Sequence, residues 1–225
     1  MHIEPGVVDA AKMGLASVTA AGAAGYTAKL ALSDLRASNP VAFAARAALA
    51  TVGTFLCFEV LPHFVVGVSE VHFILGTTLF LLLGAAPAAL GLAFGLLLQG
   101  MFFAPTDLPM YFVNVTTLLV PLFAASALAR RVVPAGTAFT DLKYADVLKF
   151  SATFQGGVVA WVAFWVFYGQ GVSADVMQSV LAFGGAYMMV VLIEPLVDLA
   201  ALAAAKSARD TGFARILSPR LFTAG

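Results

Sequence analysis

A single cysteine, Cys57, in a chain of 225 residues excludes an internal disulfide framework. It stands in an apolar run, where a small buried hydrophobe is expected. Charge is scarce too. Asp, Glu, Lys and Arg make up 11% of the chain, against about 25% in soluble domains. The 12 basic and 12 acidic residues cancel, so no net field points to nucleic acid. No Gly-x4-Gly-Lys-Ser/Thr loop is present, so any ATP hydrolysis coupled to this chain belongs to another subunit. A His-Glu-x-x-His helix is also missing. Gly67-x-Ser69 followed by Val71 lacks the closing glycine of a hydrolase elbow. These absences argue against an enzyme. The N-terminus has no basic region ahead of an apolar one, so it does not read as a signal peptide, and the first hydrophobic stretch is expected in the mature protein.

What fills the chain is oil. Hydrophobic residues reach 61% and the mean hydropathy is +0.97, more than a domain of this size can hide from water. A bilayer can accept that excess, and a spanning helix needs about 20 mostly apolar residues. On that basis the sequence predicts an all-α, polytopic membrane protein of about seven transmembrane helices, over 13–32, 41–62, 72–83, 87–103, 110–128, 151–168 and 176–205. The third is short and is expected to begin inside the membrane after a dipping loop, where protein covers the backbone. Breakers separate the spans, among them Asn39-Pro40, Pro62, Gly84 with Pro87, Ala104-Pro105, Pro134 with Gly136, and Gly169 to Gly171.

Basic residues give the orientation. Loops 63–71, 104–109 and 169–175 contain no Lys or Arg. The alternate connections hold Lys29 and Arg36, then Arg130, Arg131, Lys143 and Lys149, then Lys206, Arg209, Arg215 and Arg220. The positive-inside rule makes that second set cytoplasmic, with the N-terminus outside and the C-terminus inside the cell (inner) membrane. Within the first span, Ala16, Ala20, Ala24 and Ala28 repeat at four-residue spacing beside Gly14, Gly22 and Gly25. Such a ridge permits close backbone approach, either to neighbouring helices of the same bundle or to a separate membrane subunit.

Three histidines carry the chemistry. His2 directly follows Met1, and a large second residue generally protects the initiator, so the mature chain is expected to begin Met1-His2 with a free amine. The Met1 amine, the deprotonated His2 amide and His2 Nδ1 then close adjoining five- and six-membered rings in one plane. A fourth nitrogen would complete a square, the geometry of Ni(II) and Cu(II). His72, on the side assigned to the N-terminus, is the candidate for it, as an ionisable group opening a span is a functional hypothesis by default. Glu70, close by in the sequence, is expected either to orient that imidazole or to concentrate cations at the mouth. His63, after Pro62, reads as an interfacial residue apart from the site. Charges embedded in spans are Arg46, Glu59, Glu194 and Asp198; the last two share one helix face beside Pro195, and either pair with a neighbouring helix or form a proton or cation path.

Met1-His2-Ile3 with Gly6, and Gly67-x-Ser69-x-x-His72 with Gly76, resemble the substrate-binding components of cobalt and nickel energy-coupling factor transporters, the CbiM/NikM family. Gln99 and Asn114 also stand where that family carries similar residues. The visible motifs cover roughly the first 130 residues, beyond which only the helical outline matches. The resemblance implies metal ligation by Met1, His2 and His72, with Ser69, Glu70 and Asn114 around them. It implies one substrate-binding domain over 1–225: a chelating segment 1–12, a bundle 13–205 and a cytoplasmic tail 206–225. The transported ion would be Co²⁺ or Ni²⁺, with no resident cofactor. Cobalt, which the overall resemblance favours, would feed cobalamin synthesis. The implied partners are a transmembrane coupling subunit, cytoplasmic ATPases and often a small accessory membrane protein. The sequence departs from the family in Glu4-Pro5, where Pro-Asp is usual, and in the reduced stretch Val113-Asn114-Val115-Thr116-Thr117, which touches the role of Asn114.

Two other classes compete with this reading. A retinal-type pump needs a lysine in the middle of its last span, and 176–205 has none. A self-contained ion-coupled transporter would use Glu194 and Asp198.

Overall fold

The computed structural model describes residues 3–223; Met1 and His2, the two N-terminal ligands expected from sequence, lie outside the described residues. Eight α-helices and one small hairpin make up the described chain, with short 3-10 turns between them. They are α1 (Met13–Ala37), α2 (Pro40–Glu59), β1 (Phe64–Val66), β2 (Ser69–Val71), α3 (Gly76–Leu83), α4 (Ala85–Phe102), α5 (Tyr111–Val132), α6 (Tyr144–Gln170), α7 (Ala174–Met188) and α8 (Glu194–Ser207). Local chemistry explains several starts. Asn39 caps α2 through Oδ1, which accepts the Val41 N–H at 2.8 Å, and Pro40 occupies the first turn where a missing N–H costs nothing. Ser173 caps α7 in the same way, accepting the Val176 N–H.

Among the described residues, five segments are long and apolar enough to cross a membrane: Pro40–Glu59, Ala85–Phe102, Pro105–Val132, Tyr144–Gln170 and Ala174–Ser207. Two of the seven predicted spans are not among them. One is α1, which has the length but a more polar composition; the other is the 72–83 span, where only the 8 residues of α3 are helical. Residues 72–75 are not helical and lead from β2 into α3. The last span is not one continuous helix either. It breaks between α7 and α8 through a 3-10 turn at Met189–Leu192, and α8 restarts with Pro195 in its first turn, where proline is tolerated.

Helices approach closely where side chains are smallest. A Cβ on Gly91 of α4 would overlap Ala50 of α2, and one on Gly95 would press on Thr54 at 2.6 Å. This spacing of two glycines lets α2 and α4 run nearly backbone to backbone. Large side chains of α5 and α6 fill the centre, including Leu118, Leu122, Phe150, Phe154 and Trp165, all fully buried.

The ridge on α1 divides. Ala16 is buried and Ala20 half-buried, whereas Ala24 and Ala28 are exposed. A helix turns through 100° per residue, so each four-residue step advances about 40° and the four alanines wind about 120° around the axis. Of the two readings of this ridge, internal packing suits its beginning, which is buried in the bundle, while its end faces outward.

Three of the four embedded charges, Arg46, Glu194 and Asp198, are engaged by named partners. Arg46, 1% exposed, donates to Asp34 Oδ1 at 2.7 Å, Ser38 Oγ at 3.0 Å and the Leu83 carbonyl at 3.0 Å. This ties α1, α2 and the end of α3 together at one end of the bundle. Glu194 Oε2 accepts from Ser151 and Gln155 of α6, and Asp198 accepts from Thr77 and Thr78 of α3. Both carboxylates are fully buried, and they anchor α8 against two helices, as buried polar groups in a bilayer protein must be satisfied from within.

Candidate metal centre

The end of the bundle opposite Arg46 gathers the residues singled out by sequence. Phe64–Val66 and Ser69–Val71 pair antiparallel, with Phe64 against Val71, Val65 against Glu70 and Val66 against Ser69. A two-residue connection suffices because Gly67 has φ +59, a left-handed conformation that glycine adopts freely. The turn lies on α7, where a Cβ on Gly67 would overlap the Ser179 carbonyl. The hairpin is thereby pinned, and it delivers His72 into the interior.

His72 is 1% exposed. Its Nε2 lies 2.8 Å from Glu70 Oε2 on the adjoining strand. A neutral imidazole facing a carboxylate there donates from Nε2–H, so the lone pair resides on Nδ1; a second-shell carboxylate commonly sets histidine ligands this way. The ring also rests against two others. Phe58 lies 4.8 Å away between centroids, and His63 stacks on it at 4.7 Å and 15°. The reading of His63 as remote from the site is thus corrected: it is solvent-exposed, but its ring forms one wall of the His72 environment. Ser69 is buried on β2 two positions before Val71. Beyond His72, Leu75 adopts φ 56, strained for a residue with a branched side chain. That turn feeds Gly76, against whose Cα the Phe154 ring lies so closely that any side chain would overlap it. Both Gly67 and Gly76 of the motif therefore have steric reasons to be glycine.

The N-terminal segment is drawn to the same end. Ile3 is fully buried and its N–H donates to Asn114 Oδ1 of α5 at 2.9 Å. Asn114, itself 1% exposed, acts here as an anchor for the chain leading to Met1 and His2. Gln99 of α4 is buried nearby and shares with Asn114 the lining of a small cavity of about 10 Å³. Further along, a Cβ on Gly169 at the end of α6 would collide with the Val7 carbonyl, and Lys12 Nζ donates to the Gly169 carbonyl at 2.8 Å. Sequence reasoning treated Gly169 only as a helix breaker. The only signal that could have distinguished it was its position beside Gly171 at a span end, which carries no information about a segment more than 150 residues away. Among the described residues, no group of three or more His, Cys, Asp or Glu side chains converges to hold a metal ion. A square of nitrogens built on His72 needs donors from outside that set.

Fold and site together define a multi-pass helical membrane protein that buries a carboxylate-oriented histidine beside an anchored N-terminal strap. The sequence matches the CbiM family, the cobalt uptake substrate-specific transmembrane region, over residues 2–211, and the chain belongs to that family. This is a family of transport components and not a family of enzymes, consistent with a transported ion rather than a bound cofactor. Neither a curated protein nor a solved structure matches the chain.

Proposed function

We propose that this protein is the ion-capturing membrane subunit of an ATP-driven importer, binding Co²⁺ or Ni²⁺ through the Met1 amine, the His2 amide, His2 Nδ1 and His72 Nδ1. The observation that supports it best is the convergence of two separately anchored pieces on one end of the bundle: His72, oriented by Glu70, and the N-terminal strap, tethered by Asn114 and Gly169. A planar set of nitrogens selects against Mg²⁺ and Ca²⁺, which prefer oxygen and higher coordination. Membership of a cobalt-uptake family favours cobalt over nickel, with cobalamin synthesis as its use. Capture requires no chemistry in this chain; the energy would come from cytoplasmic ATPases acting through a transmembrane coupling subunit, with or without a small accessory membrane protein. The outward face of α1 suits such a partner, since Ala24 and Ala28 are exposed and a Cβ on Gly14, Gly22 or Gly25 would meet nothing within 4 Å.

In this reading α1 and the re-entrant α3 complete a seven-span bundle, α1 being 25 residues and thus about 37 Å long, enough to cross a hydrocarbon core of about 30 Å. Every lysine and arginine except Lys12 lies toward the end away from His72, so the metal mouth faces outward across the inner membrane. A cysteine introduced at Val172, which is 73% exposed, should react with an impermeant maleimide in intact cells, while the buried Cys57 supplies little background. Labelling only after lysis would reverse the orientation.

The direct test of the site is equilibrium binding of Co²⁺ and Ni²⁺ to purified variants. His72→Ala should weaken both ions at least about a hundredfold, because three nitrogens do not complete a square. His63→Ala should cost about two- to tenfold through the lost ring stack, and His63→Phe should recover most of it. Unchanged affinity in His72→Ala would remove this residue from the ligand set.

A further inference from the structure

At the end remote from His72, a cavity of about 710 Å³ opens between the ends of α1, α2 and α5, the α3–α4 junction and the 3-10 turn Pro219–Leu221. Three guanidiniums line it, from Arg46, Arg130 and Arg220. Arg46 forms the floor and is already neutralised by Asp34 at 2.7 Å. The other two are held by neutral oxygens. Arg130 donates to Ser126 Oγ at 2.9 Å, and Arg220 donates to the Pro134 carbonyl at 3.4 Å while lying over the Phe139 ring. Among the described residues neither has a carboxylate partner. Among the described residues that line the cavity, one carboxylate stands against three guanidiniums. Hydroxyls of Ser38, Ser126 and Ser218 add hydrogen-bonding capacity to walls that are otherwise largely apolar.

That combination repels a divalent cation, so the cavity is not a second stop for the metal. It suits a ligand with an oxyanion at one end and hydrocarbon at the other. Arginine matches phosphate oxygens in paired, planar geometry. The cavity also lies where two candidate membrane spans end, at the start of α2 and the end of α5, and basic pockets between helix ends on the positive side of a membrane bind anionic headgroups. Its volume is far larger than one phosphate requires, and falls within the usual range for a ligand of drug or lipid-headgroup size. We infer that this cavity binds the phosphodiester headgroup of an anionic phospholipid, with Arg130 and Arg220 on the phosphate oxygens and the acyl chains against the apolar wall. The inference is independent of the metal site and of how the ion is captured.

The experiment is a titration of delipidated protein in neutral detergent, read by native mass spectrometry. The probes are phosphatidylglycerol, phosphatidylcholine with the same acyl chains, and inorganic phosphate. Wild type should prefer phosphatidylglycerol over phosphatidylcholine at least tenfold. The double variant Arg130→Gln/Arg220→Gln should lose about thirtyfold in affinity for phosphatidylglycerol, or all of its preference if that is smaller. Arg130→Lys/Arg220→Lys should retain most of it, and circular dichroism should show both doubles folded. Arg36→Gln/Arg131→Gln removes two exposed charges at the same end that do not line the cavity, and should change the preference by less than about threefold. Equal losses in that control, or an undiminished preference in Arg130→Gln/Arg220→Gln, would overturn the site. Inorganic phosphate displacing the lipid at equal concentration would overturn the lipid in favour of a soluble oxyanion.

Discussion

A tag of several residues ahead of Met1 should abolish binding of Co²⁺ and Ni²⁺, with a loss of at least about a thousandfold, or about 4 kcal/mol. The proposed chelate uses the terminal amine as a donor in a five-membered ring. Extension converts that amine into an amide, whose nitrogen binds only after a much harder deprotonation, and moves the free amine out of the ring. His2→Ala should do equal damage by removing Nδ1. A tag after Gly225 should leave affinity unchanged, because the last described turn, Pro219–Leu221, lies at the end of the bundle that carries Arg46 and Arg130, remote from His72. Acid should weaken wild type progressively, since the amine, the amide and both imidazoles must all shed protons to coordinate. Isothermal titration of each purified protein, with folding checked by circular dichroism, measures this directly. Full affinity in an N-terminally extended protein would eliminate the chelate while leaving membership of the cobalt-uptake family intact.

Gly169→Ala should cost at least about a hundredfold in metal affinity while leaving the bundle folded. The residue sits in the last turn of α6, where alanine is the better helix former by about 1 kcal/mol. Its new methyl group, however, would occupy the position of the Val7 carbonyl oxygen, and it would lie 2.9 Å from the Val7 carbonyl carbon. Both partners are backbone, so no side-chain rotation relieves the overlap. The strap must move, taking Ile3 from its pocket and its N–H from Asn114. Asn114→Leu tests the same anchor from the other side: it strands that buried N–H at about 1–3 kcal/mol, equivalent to about a 5- to 150-fold loss. Gly156→Ala is the control, as a Cβ there meets nothing within 4 Å. Limited proteolysis should cut Gly169→Ala faster than wild type around residues 7–9, with little change in melting temperature. Wild-type affinity and wild-type proteolysis in Gly169→Ala would show that the strap can shift without consequence.

Hydrophobic content, the placement of Lys and Arg, and the Gly67-x-Ser69-x-x-His72 motif were sufficient to read a helical membrane protein and to choose His72. These signals are local or additive: hydropathy is summed over a window, charge is counted per loop, and a motif spans a few residues. The same locality explains the misses. A window average cannot distinguish one long helix from α7 and α8 broken before Pro195, because both are equally apolar. It also rates the oil of α3 without knowing that only 8 residues are helical. Four-residue spacing along α1 looked like one face, yet the pitch of the helix carries Ala28 well away from Ala16.

By itself, the sequence determined the solvent, the segregation of Lys and Arg to alternate connections and the chemical identity of the candidate ligand His72. Only the tertiary structure decided what surrounds that ligand and what secures the strap beside it. The contact between Ile3 and Asn114 spans 111 residues, and that between Thr77 and Asp198 spans 121. The stack of His63 on His72 depends on how the hairpin is set against α7. Such partners are chosen by the packing of whole helices against one another, which excludes one backbone or side chain to admit another, and no periodicity within either segment encodes which distant residue will be there.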